Sequence, residues 1–358
     1  MAGLTEQAAG VEPVGAALEA LLRWVRQTFA NAAGAEPRLP IGYFANVIPV
    51  APGLGVAIST DGVGTKLLIA QATGRFETVG IDCVAMNVND VLCVGARPVA
   101  LVDYIAVEAA TPELLGALGR GLAQGCEQAG VSCPGGELAQ VREMLRGALP
   151  GTAVDLVGTA IGVVALDRVL AGQDVQAGDV LLGLESTGLH SNGFTLARRV
   201  LMERNGLALD AHVPELGCVL ADELLRPSRI YVKPLLDVLA RDVPVRALAH
   251  VTGDGLFNLV RTTKPVGFDI EHWPEPPAIF ALLQRLGGIP DAEMYRAFNM
   301  GIGFALVVAP AGVAFARGIL EAHGLAVHEL GRATDDPDRT LHFRPKRLVG
   351  RSGRFTPM

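Results

Sequence analysis

Lysine is scarce in this chain of 358 residues, because only Lys66, Lys233, Lys264 and Lys346 occur and arginine carries almost all of the positive charge. The formal net charge is −7 at pH 7. A mildly acidic balance is not typical of general nucleic-acid binding or of binding to anionic membranes. We therefore expect neither nucleic acid nor membrane as a partner.

Long uninterrupted hydrophobic runs are missing as well. Asp103, Asp155 or Pro310 interrupts the longest apolar stretches before they reach the roughly 18 residues that a membrane helix needs. The first residues show no basic segment followed by an apolar run, so we expect no signal peptide. The five cysteines form no Cys-x-x-Cys pair, and buried, reduced thiols of a cytoplasmic protein are the simplest interpretation.

Several catalytic signatures are absent from the sequence. It contains no Gly-x-Ser-x-Gly and no His-Glu-x-x-His, and no Cys/His catalytic pair is evident, so covalent hydrolytic chemistry is not expected. It contains no Gly-Lys dipeptide, which excludes a Walker A phosphate loop. Zinc is not expected either, because histidine and cysteine do not occur with zinc-ligand spacing.

Apolar residues make up half of the chain and glycine is abundant, with 43 residues. This length predicts two domains, and strands that alternate with helices predict an α/β class with mixed α+β character. The polar stretch 167–179 separates two series of elements. We therefore predict an N-terminal domain 1–166, a C-terminal α/β domain 167–345 with helices packed on its sheet, and a basic tail 346–358 that is frayed.

The periodicity of apolar residues predicts the individual elements. Thr111 and Pro112 form a helix start, and Gly130 a helix end. The predicted helices cover 15–29, 78–95, 111–129, 194–204, 228–240, 256–261 and 311–323. The predicted strands cover 56–60, 100–107, 153–165, 180–184, 245–249, 302–308 and 327–331, and a further strand and helix share 266–286.

The loop Asp61–Lys66 directly follows the predicted strand 56–60. Gly62 and Gly64 allow the backbone to approach phosphate oxygens closely. Lys66 supplies positive charge, and Asp61 is a candidate ligand of a Mg²⁺ ion that bridges phosphates. The alternative is an Asp-Gly turn beside an ordinary surface lysine.

Further acidic residues follow the phosphate loop. Asn87 and Asp90 share one face of an otherwise apolar helix, where buried polar groups are costly unless they bind something. Glu137 follows a glycine pair at a predicted strand end. Asp61, Asp90 and Glu137 together would suit Mg²⁺, which prefers one or two carboxylates besides phosphate and water. Alternatively, Asp90 faces solvent or caps a neighbouring loop.

Two polar loops, Gly188–Gly193 and His250–Gly255, each precede a predicted helix. Helix N-termini bind phosphates well, so either loop is a candidate site for the phosphate of a nucleotide or a sugar phosphate. Asn299, before the strand 302–308, either binds a ligand or starts a turn. In the alternative interpretation the loops only cap their helices, through Ser191 or Asn192 and through Thr252 or Asp254.

Taken together, these segments resemble the aminoimidazole ribonucleotide synthetases, also called phosphoribosylformylglycinamidine cyclo-ligases. The similarity keeps its order over about residues 56–331. It also extends in part to a wider superfamily with selenophosphate synthetase, thiamine monophosphate kinase and a hydrogenase maturation factor. The matching runs are 59–67, 80–82, 85–90, 103–104, 135–137, 190–193, 229–233, 250–253 and 294–301.

The resemblance implies a homodimer whose N-terminal sheets form a barrel across the dimer interface. It also implies an ATP-dependent reaction of purine synthesis, in which the formyl amide oxygen of formylglycinamidine ribonucleotide is phosphorylated and an amidine nitrogen closes the imidazole ring. ATP and Mg²⁺ are the expected cofactors. We assign catalytic roles to Asp61, Lys66 and His190, nucleotide and phosphate binding to Gly62, Gly64, Thr65, Asp90 and Asp103, substrate binding to Ser191, Asn192, Gly193, Thr252, Gly253 and Asn299, and metal binding to Asp61, Asp90 and Glu137.

The sequence departs from the family pattern at four places. The opening segment Glu6–Glu12 lacks the expected lysine and first aspartate, and the glycine-rich flap is reduced to Ile41–Ala45. Leu138–Arg142 replaces a Thr-Ala-Glu-Met-Pro run, and Asp254 interrupts a triple glycine. Two alternatives therefore stay open: a sibling enzyme that uses ATP on another acceptor, and a catalytically silent dimer that binds a nucleotide.

Overall fold

The computed structural model describes residues 4–11, 15–147 and 149–358. Glu12, the last residue of the divergent opening segment, and the first three residues lie outside the described ranges. The α-helices are α1 Gly15–Val25, α2 Leu67–Thr73, α3 Glu77–Leu92, α4 Pro112–Ala129, α5 Phe194–Arg198, α6 Leu220–Leu224, α7 Val232–Ala240, α8 Ala278–Gly287, α9 Asp291–Ala297 and α10 Val313–Ala322. The strands are β1 Asn46–Ala51, β2 Leu54–Gly62, β3 Arg97–Val107, β4 Ser132–Gln140, β5 Val154–Ala165, β6 Val180–Glu185, β7 His212–Val213, β8 Cys218–Val219, β9 Val245–His250, β10 Gly267–Ile270, β11 Ile302–Val308, β12 Val327–Thr334, β13 Leu341–Phe343, β14 Leu348–Arg351 and β15 Arg354–Pro357.

The N-terminal half, with β1–β5, forms one five-stranded sheet in the order β1-β2-β5-β3-β4. All neighbours are antiparallel except β3 and β4, which are parallel. Side chains alternate along β5, so Leu156, Ala160 and Val164 are buried against the helices. Helix α3 approaches closely because β5 has glycine on this face: a Cβ on Gly158 would lie 2.6 Å from the Asn87 amide nitrogen.

The C-terminal half, with β6–β15, forms an eight-stranded sheet in the order β15-β14-β13-β10-β12-β6-β11-β9. The strand β11 lies between β6 and the edge strand β9, and every residue of β11 is buried. A continuous apolar strand of this kind is buried on both faces. The mixed α/β class is therefore confirmed, whereas the domain limits at 166 and 345 stay a prediction.

Helix α3 lies between the two halves. It packs against α4 and β5 and also contacts β9 and α7 of the C-terminal half. From Val79 to Leu92 all its residues are buried except Asp90, which is partly exposed. A helix enclosed on all sides carries polar groups only where partners meet them, and these partners form the candidate site described below.

Most predicted elements are confirmed, including the Thr111 cap, which accepts a hydrogen bond from the Leu114 N–H at 3.2 Å. The prediction of a frayed tail at 346–358 is wrong, because β14 pairs with β13 and β15 pairs with β14. Its apolar residues explain the difference: Leu348 is buried, and the Phe355 ring packs 4.7 Å from the Phe257 ring. Among the described residues, no helix is long and apolar enough to cross a membrane.

Candidate functional site

Asp61 lies in the second-last position of β2, where the strand reaches α3. Its Oδ1 accepts a hydrogen bond from the backbone N–H of Gly62 at 2.8 Å, and its carbonyl oxygen accepts one from the Asn87 amide at 3.1 Å. Burial, and next the neighbouring Asp90 carboxylate, raise the pKa of Asp61 to about 6. The ionised form of such a carboxylate has lost its hydrating water, and a bound cation would stabilise it.

Asp90, on α3, meets a histidine from the C-terminal half. Nδ1 of His250 lies 2.8 Å from Oδ1 of Asp90, and the His250 ring is fully buried and stacks on Phe304 with ring centroids 6.0 Å apart. Asp61, Asp90 and His250 are thus neighbours at the boundary between the two halves. The sequence pattern indicated Asp90 and the loop from His250, but nothing in one sequence signals that the two pair.

Asp103 and Glu137 lie on opposite faces of the first sheet. Asp61 and Asp103 are both in register with Gly158, on either side of β5, so their side chains share the face towards α3. Burial raises the pKa of Asp103. Glu137 lies in the middle of β4, in register with Tyr104 rather than Asp103, and points to the other face.

The predicted metal triad is therefore wrong in one member, since Glu137 does not join Asp61 and Asp90. The prediction that Glu137 ends a strand is wrong too, because β4 continues to Gln140. Among the residues that the structure describes, no three His, Cys, Asp or Glu side chains are grouped so as to hold a metal ion. Asp61 and Asp90 alone provide two carboxylates, which suffices for Mg²⁺ when phosphate and water complete its coordination.

The phosphate loop continues from Gly62 into a short 3-10 helix, Gly64–Lys66. Gly64 has φ +70°, which favours glycine. Gly64 and Thr65 are exposed, and the Thr65 hydroxyl lies 3.1 Å from the hydroxyl of Thr195 in α5. The exposed part of the loop therefore faces the start of the first helix of the C-terminal half.

Lys66 is fully buried, contrary to both its predicted interpretations. Its ammonium lies 2.7 Å from Oδ2 of Asp82 and donates to the carbonyl oxygens of His190 at 3.0 Å and Arg226 at 2.6 Å. These acceptors use the three N–H bonds that an ammonium has. Lys66 is thus neither a surface lysine nor a cation free to bind phosphates, and its assignment as a catalytic residue is not supported.

His190 is buried as well, with a positive φ of 58°. Its Nε2 accepts from the backbone N–H groups of Thr187 at 3.2 Å and Arg229 at 3.4 Å. Burial, followed by the charge of nearby cationic groups, lowers its pKa well below the usual value. The neutral ring therefore holds two backbone segments, and the predicted role as a base on the substrate is not supported.

The two polar loops of the C-terminal half meet each other. A Cβ on Gly253 would lie 3.3 Å from Oδ1 of Asn192, and the Ser191 and Ser228 hydroxyls are 3.3 Å apart. No side chain caps α5 or the 3-10 helix Gly255–Val260, so the cap-only interpretation is wrong for both loops. Thr252 and Gly253 are partly exposed, and Gly193 has φ +73° with the Phe298 ring in the place of a side chain.

Asn299 is buried, and its side chain makes three hydrogen bonds within the protein. Its Oδ1 accepts from the Ser186 hydroxyl and the Gly301 N–H, both at 2.9 Å, and its amide donates to the Gly188 carbonyl at 2.9 Å. Asn299 therefore fixes the turn before β11 and the start of the first polar loop. These bonds support the turn interpretation, whereas the contact with substrate stays a prediction.

A cavity of about 730 Å³ borders the second polar loop at Gly253. The opening segment with Glu6 and Gln7, the helix α9 and the start of β15 form its walls. Arg296 lies in this cavity between two carboxylates, at 2.9 Å from Glu6 and 2.7 Å from Glu293. The divergent opening segment is thus packed on the C-terminal half, beside the loop that carries Thr252 and Gly253.

Comparison with known proteins identifies both halves. The chain matches the family model "AIR synthase related protein, N-terminal domain" over residues 43–164 and the corresponding C-terminal domain model over residues 176–344. A phosphoribosylformylglycinamidine cyclo-ligase from Thermococcus gammatolerans is 42% identical over 93% of this chain and 96% of that protein. The cyclo-ligase from Methanothermobacter thermautotrophicus is 48% identical over 82% of this chain and 84% of that protein.

Solved structures with low sequence identity share the fold. A HypE–HypF complex has a TM-score of 0.62 at 18% identity and covers 92% of this chain and 99% of that one. The ThiL protein complexed with AMPPCP and TMP has a TM-score of 0.61 at 15% identity and covers 90% of this chain and 92% of that one. At this identity the likeness concerns the fold alone.

Proposed function

The chain belongs to the phosphoribosylformylglycinamidine cyclo-ligase family, the ATP-dependent ligases of purine biosynthesis, and we propose that its ring closure takes place at the boundary between its two halves. One observation carries this placement: Asp61 and Asp90 of the N-terminal half lie beside His250, which begins the loop with Thr252 and Gly253. The boundary is where a phosphate donor on one half can meet an acceptor on the other.

We assign the ATP phosphates to the loop from Gly62 to Thr65. Gly64 and Thr65 are exposed there, and the backbone N–H groups of a glycine-rich turn bind phosphate oxygens well. Asp61 and Asp90 would hold Mg²⁺, which prefers one or two carboxylates besides phosphate. Its positive charge, when bound, would neutralise the phosphates and favour the ionised form of Asp61.

The substrate phosphate is assigned to the loops with Ser191–Gly193 and Thr252–Gly253. The γ-phosphoryl group passes to the formyl amide oxygen, so the O–P bond to ADP breaks and a new O–P bond forms. An amidine nitrogen then attacks the activated carbon and loses a proton, and the C–O bond breaks to release phosphate. The protein mainly positions these groups and offsets their charge.

Product analysis tests this proposal. Purified protein with formylglycinamidine ribonucleotide and Mg-ATP should form ADP and the aminoimidazole product in equal amounts. ADP formation only with another acceptor, such as a different small-molecule amide or phosphate ester, would instead identify a sibling enzyme of the same fold. Nucleotide binding without turnover on any acceptor would favour the silent dimer and contradict the proposal.

We also propose a homodimer in which the outer faces of two five-stranded sheets form a barrel. This face is unusually apolar for a surface: Leu54, Ile58, Val102 and Tyr104 are between 36% and 43% exposed. A contiguous apolar patch on a sheet marks an interaction surface, and a second copy offers a patch of the same shape about a twofold axis. The five cysteines are free, in keeping with a cytoplasmic location.

Sedimentation tests the dimer. Ile58→Lys places a charge within the proposed interface and should convert the dimer into a folded monomer. Phe315→Lys is the matched control, because Phe315 is 52% exposed on α10, away from this sheet. A wild-type monomer, or an Ile58→Lys variant that stays dimeric, would contradict the proposed interface.

A further inference from the structure

A buried ion pair lies directly beneath the phosphate loop. Nζ of Lys66 and Oδ2 of Asp82 are 2.7 Å apart, and both side chains are fully buried. Lys66 ends the phosphate loop and Asp82 lies in α3, so both belong to the N-terminal half. Charges so deeply buried persist only when further hydrogen bonds complete the pair.

The remaining hydrogen bonds of both residues reach the C-terminal half. Lys66 donates to the carbonyl oxygens of His190 and Arg226. Oδ1 of Asp82 accepts from both the backbone N–H and the hydroxyl of Ser228, each at 2.7 Å. The pair therefore ties two C-terminal segments, the one at His190 and the one at 226–228, to the base of the phosphate loop.

The same face of α3 makes further contacts with the C-terminal half. The Asn89 amide donates to the Arg229 carbonyl at 2.9 Å, and its oxygen accepts from the Tyr231 N–H at 3.0 Å. Sδ of Met86 lies 4.0 Å from the Asn192 amide nitrogen. Positions four and seven residues beyond Asp82 share its helix face, so the buried pair is one end of a continuous attachment.

This attachment adjoins two loops with different proposed tasks. Residues Gly62–Thr65 of the phosphate loop directly precede Lys66, and the substrate loop Ser191–Gly193 directly follows His190. The Lys66 side chain therefore links the end of one loop to the start of the other, through the carbonyl oxygen of His190. A change in the pair therefore moves the loops relative to each other without removing a group from either.

We propose that Lys66 and Asp82 act as one positioning unit that sets the distance between the phosphate loop and the substrate loop, and that Lys66 does not bind ATP phosphates. The identity of the two ligands rests on the proposed function, whereas the attachment itself does not. Displacement of reacting groups by about 1 Å costs on the order of 100-fold in rate. The unit should therefore affect kcat more than the binding of either ligand alone.

A double-mutant cycle tests the unit. Asp82→Asn, Lys66→Met and the charge-free double variant Lys66→Met/Asp82→Asn are compared with wild type for kcat and for the Kd of ATP. We expect kcat to fall about 100-fold and the double variant to lose no more than the worse single variant, because residues that act as a unit are not additive. The Kd of ATP should stay within about threefold of wild type, since each half keeps its own ligand contacts.

The double variant keeps the test valid if a single variant fails to fold, since it leaves no unpaired buried charge. Arg75→Gln/Asp222→Asn is the matched control: this ion pair also joins the two halves, at 2.7 Å, but both side chains are about half exposed. Exposed pairs contribute little, so its kcat and its exchange rates should match wild type.

Amide hydrogen exchange gives a second readout that needs no turnover. Exchange at 186–193 and 226–231 should accelerate at least about tenfold in Asp82→Asn, while the central strand β5 stays unchanged. Loss of ATP affinity in both Lys66 variants but not in Asp82→Asn would show that Lys66 binds phosphates, and would overturn the proposal. Unchanged exchange in the double variant would overturn it too. A wild-type protein that forms no imidazole product would contradict the proposed function only, because the exchange and ATP-binding results would still decide this one.

Discussion

Nδ1 of His250 and Oδ1 of Asp90 lie 2.8 Å apart and join the end of β9 to helix α3. The pair fixes Oδ1 of Asp90, whose carboxylate lies close enough to Asp61 to raise its pKa, so both halves of the chain contribute to the candidate site. A carboxylate that holds a metal is usually oriented by such a partner, whose loss weakens the site without removing a ligand.

We expect His250→Ala to lower activity by about 10- to 100-fold and to raise the Mg²⁺ concentration needed for half-maximal rate. Steady-state kinetics with a Mg²⁺ titration measures both. His323→Ala is the control, since Nε2 of His323 lies 3.1 Å from Asp237 in a pair that is about one-third exposed on each side. Equal kinetics in the His250 and His323 variants would contradict the assigned role of His250.

The raised pKa of Asp61 predicts that this residue destabilises the folded protein to a degree that depends on pH. Its pKa is about 6 in the folded protein and 3.8 as its ordinary value, so the folded state binds more protons between these values. Stability should therefore fall as pH rises from about 4 to about 6. Asp61→Asn removes this cost and should raise the free energy of unfolding above pH 6 by about 1–3 kcal/mol, with no gain near pH 4.

Thermal unfolding of wild type and Asp61→Asn near pH 4 and at pH 7, without ATP or divalent metal, measures this difference in stability. Asp155→Asn is a close control: Oδ1 of Asp155 accepts from the next backbone N–H at 3.0 Å, as Oδ1 of Asp61 does at 2.8 Å, but Asp155 is exposed. A stability loss in Asp61→Asn at pH 7 would mean that the Asp61 charge is already well compensated in the protein alone.

Asn299 should prove structural. Asn299→Ala removes a buried side chain with three hydrogen bonds and should lower the free energy of unfolding by about 2–4 kcal/mol. Below its unfolding temperature the variant should keep a near-normal KM for the substrate, because the side chain is buried and makes its three hydrogen bonds within the protein. Urea unfolding and kinetics separate the two effects. Asn205→Ala is the control, at an exposed residue with two hydrogen bonds to the backbone, and it should lower the free energy of unfolding by less. A large rise in KM for Asn299→Ala would instead support a ligand-binding role.

The C-terminal strands should contribute to stability. Phe355→Ala removes the ring that packs against Phe257 and should lower the free energy of unfolding by about 1–3 kcal/mol. Phe315→Ala, at a residue that is 52% exposed, should change it by less than about 0.5 kcal/mol. Denaturant unfolding compares the two. An equal effect of both substitutions would favour the frayed tail that the sequence alone predicted.

Local patterns were sufficient for the elements but not for side-chain partners. The Thr111 start of α4 and the apolar strand β5 follow from spacing and capping alone. The sequence could not reveal the partners of Lys66, because a lysine after a glycine-rich turn looks the same whether it faces phosphate or a distant carboxylate. Its partner Asp82 lies 16 residues on, and its other partners lie more than 120 residues away.

The grouping of Glu137 with the other acids failed because the sequence does not show the strand register. Glu137 was grouped with Asp61 and Asp90 because all three are acids near glycines, but a shift of one residue along a strand moves a side chain to the opposite face. The single sequence contains no record of the β3–β4 pairing that determines this face.

Single-turnover kinetics of Asp61→Asn beside Asp155→Asn tests the central claim most directly. With enzyme in excess over formylglycinamidine ribonucleotide and with saturating Mg-ATP, wild type and Asp155→Asn should form the imidazole product and ADP together. Asp61→Asn should fold, but it should form both the imidazole product and ADP at least about 100-fold more slowly, because the carboxylate at the phosphate loop is lost. Product formation by Asp61→Asn at the wild-type rate would contradict the placement of the reaction at the boundary between the two halves.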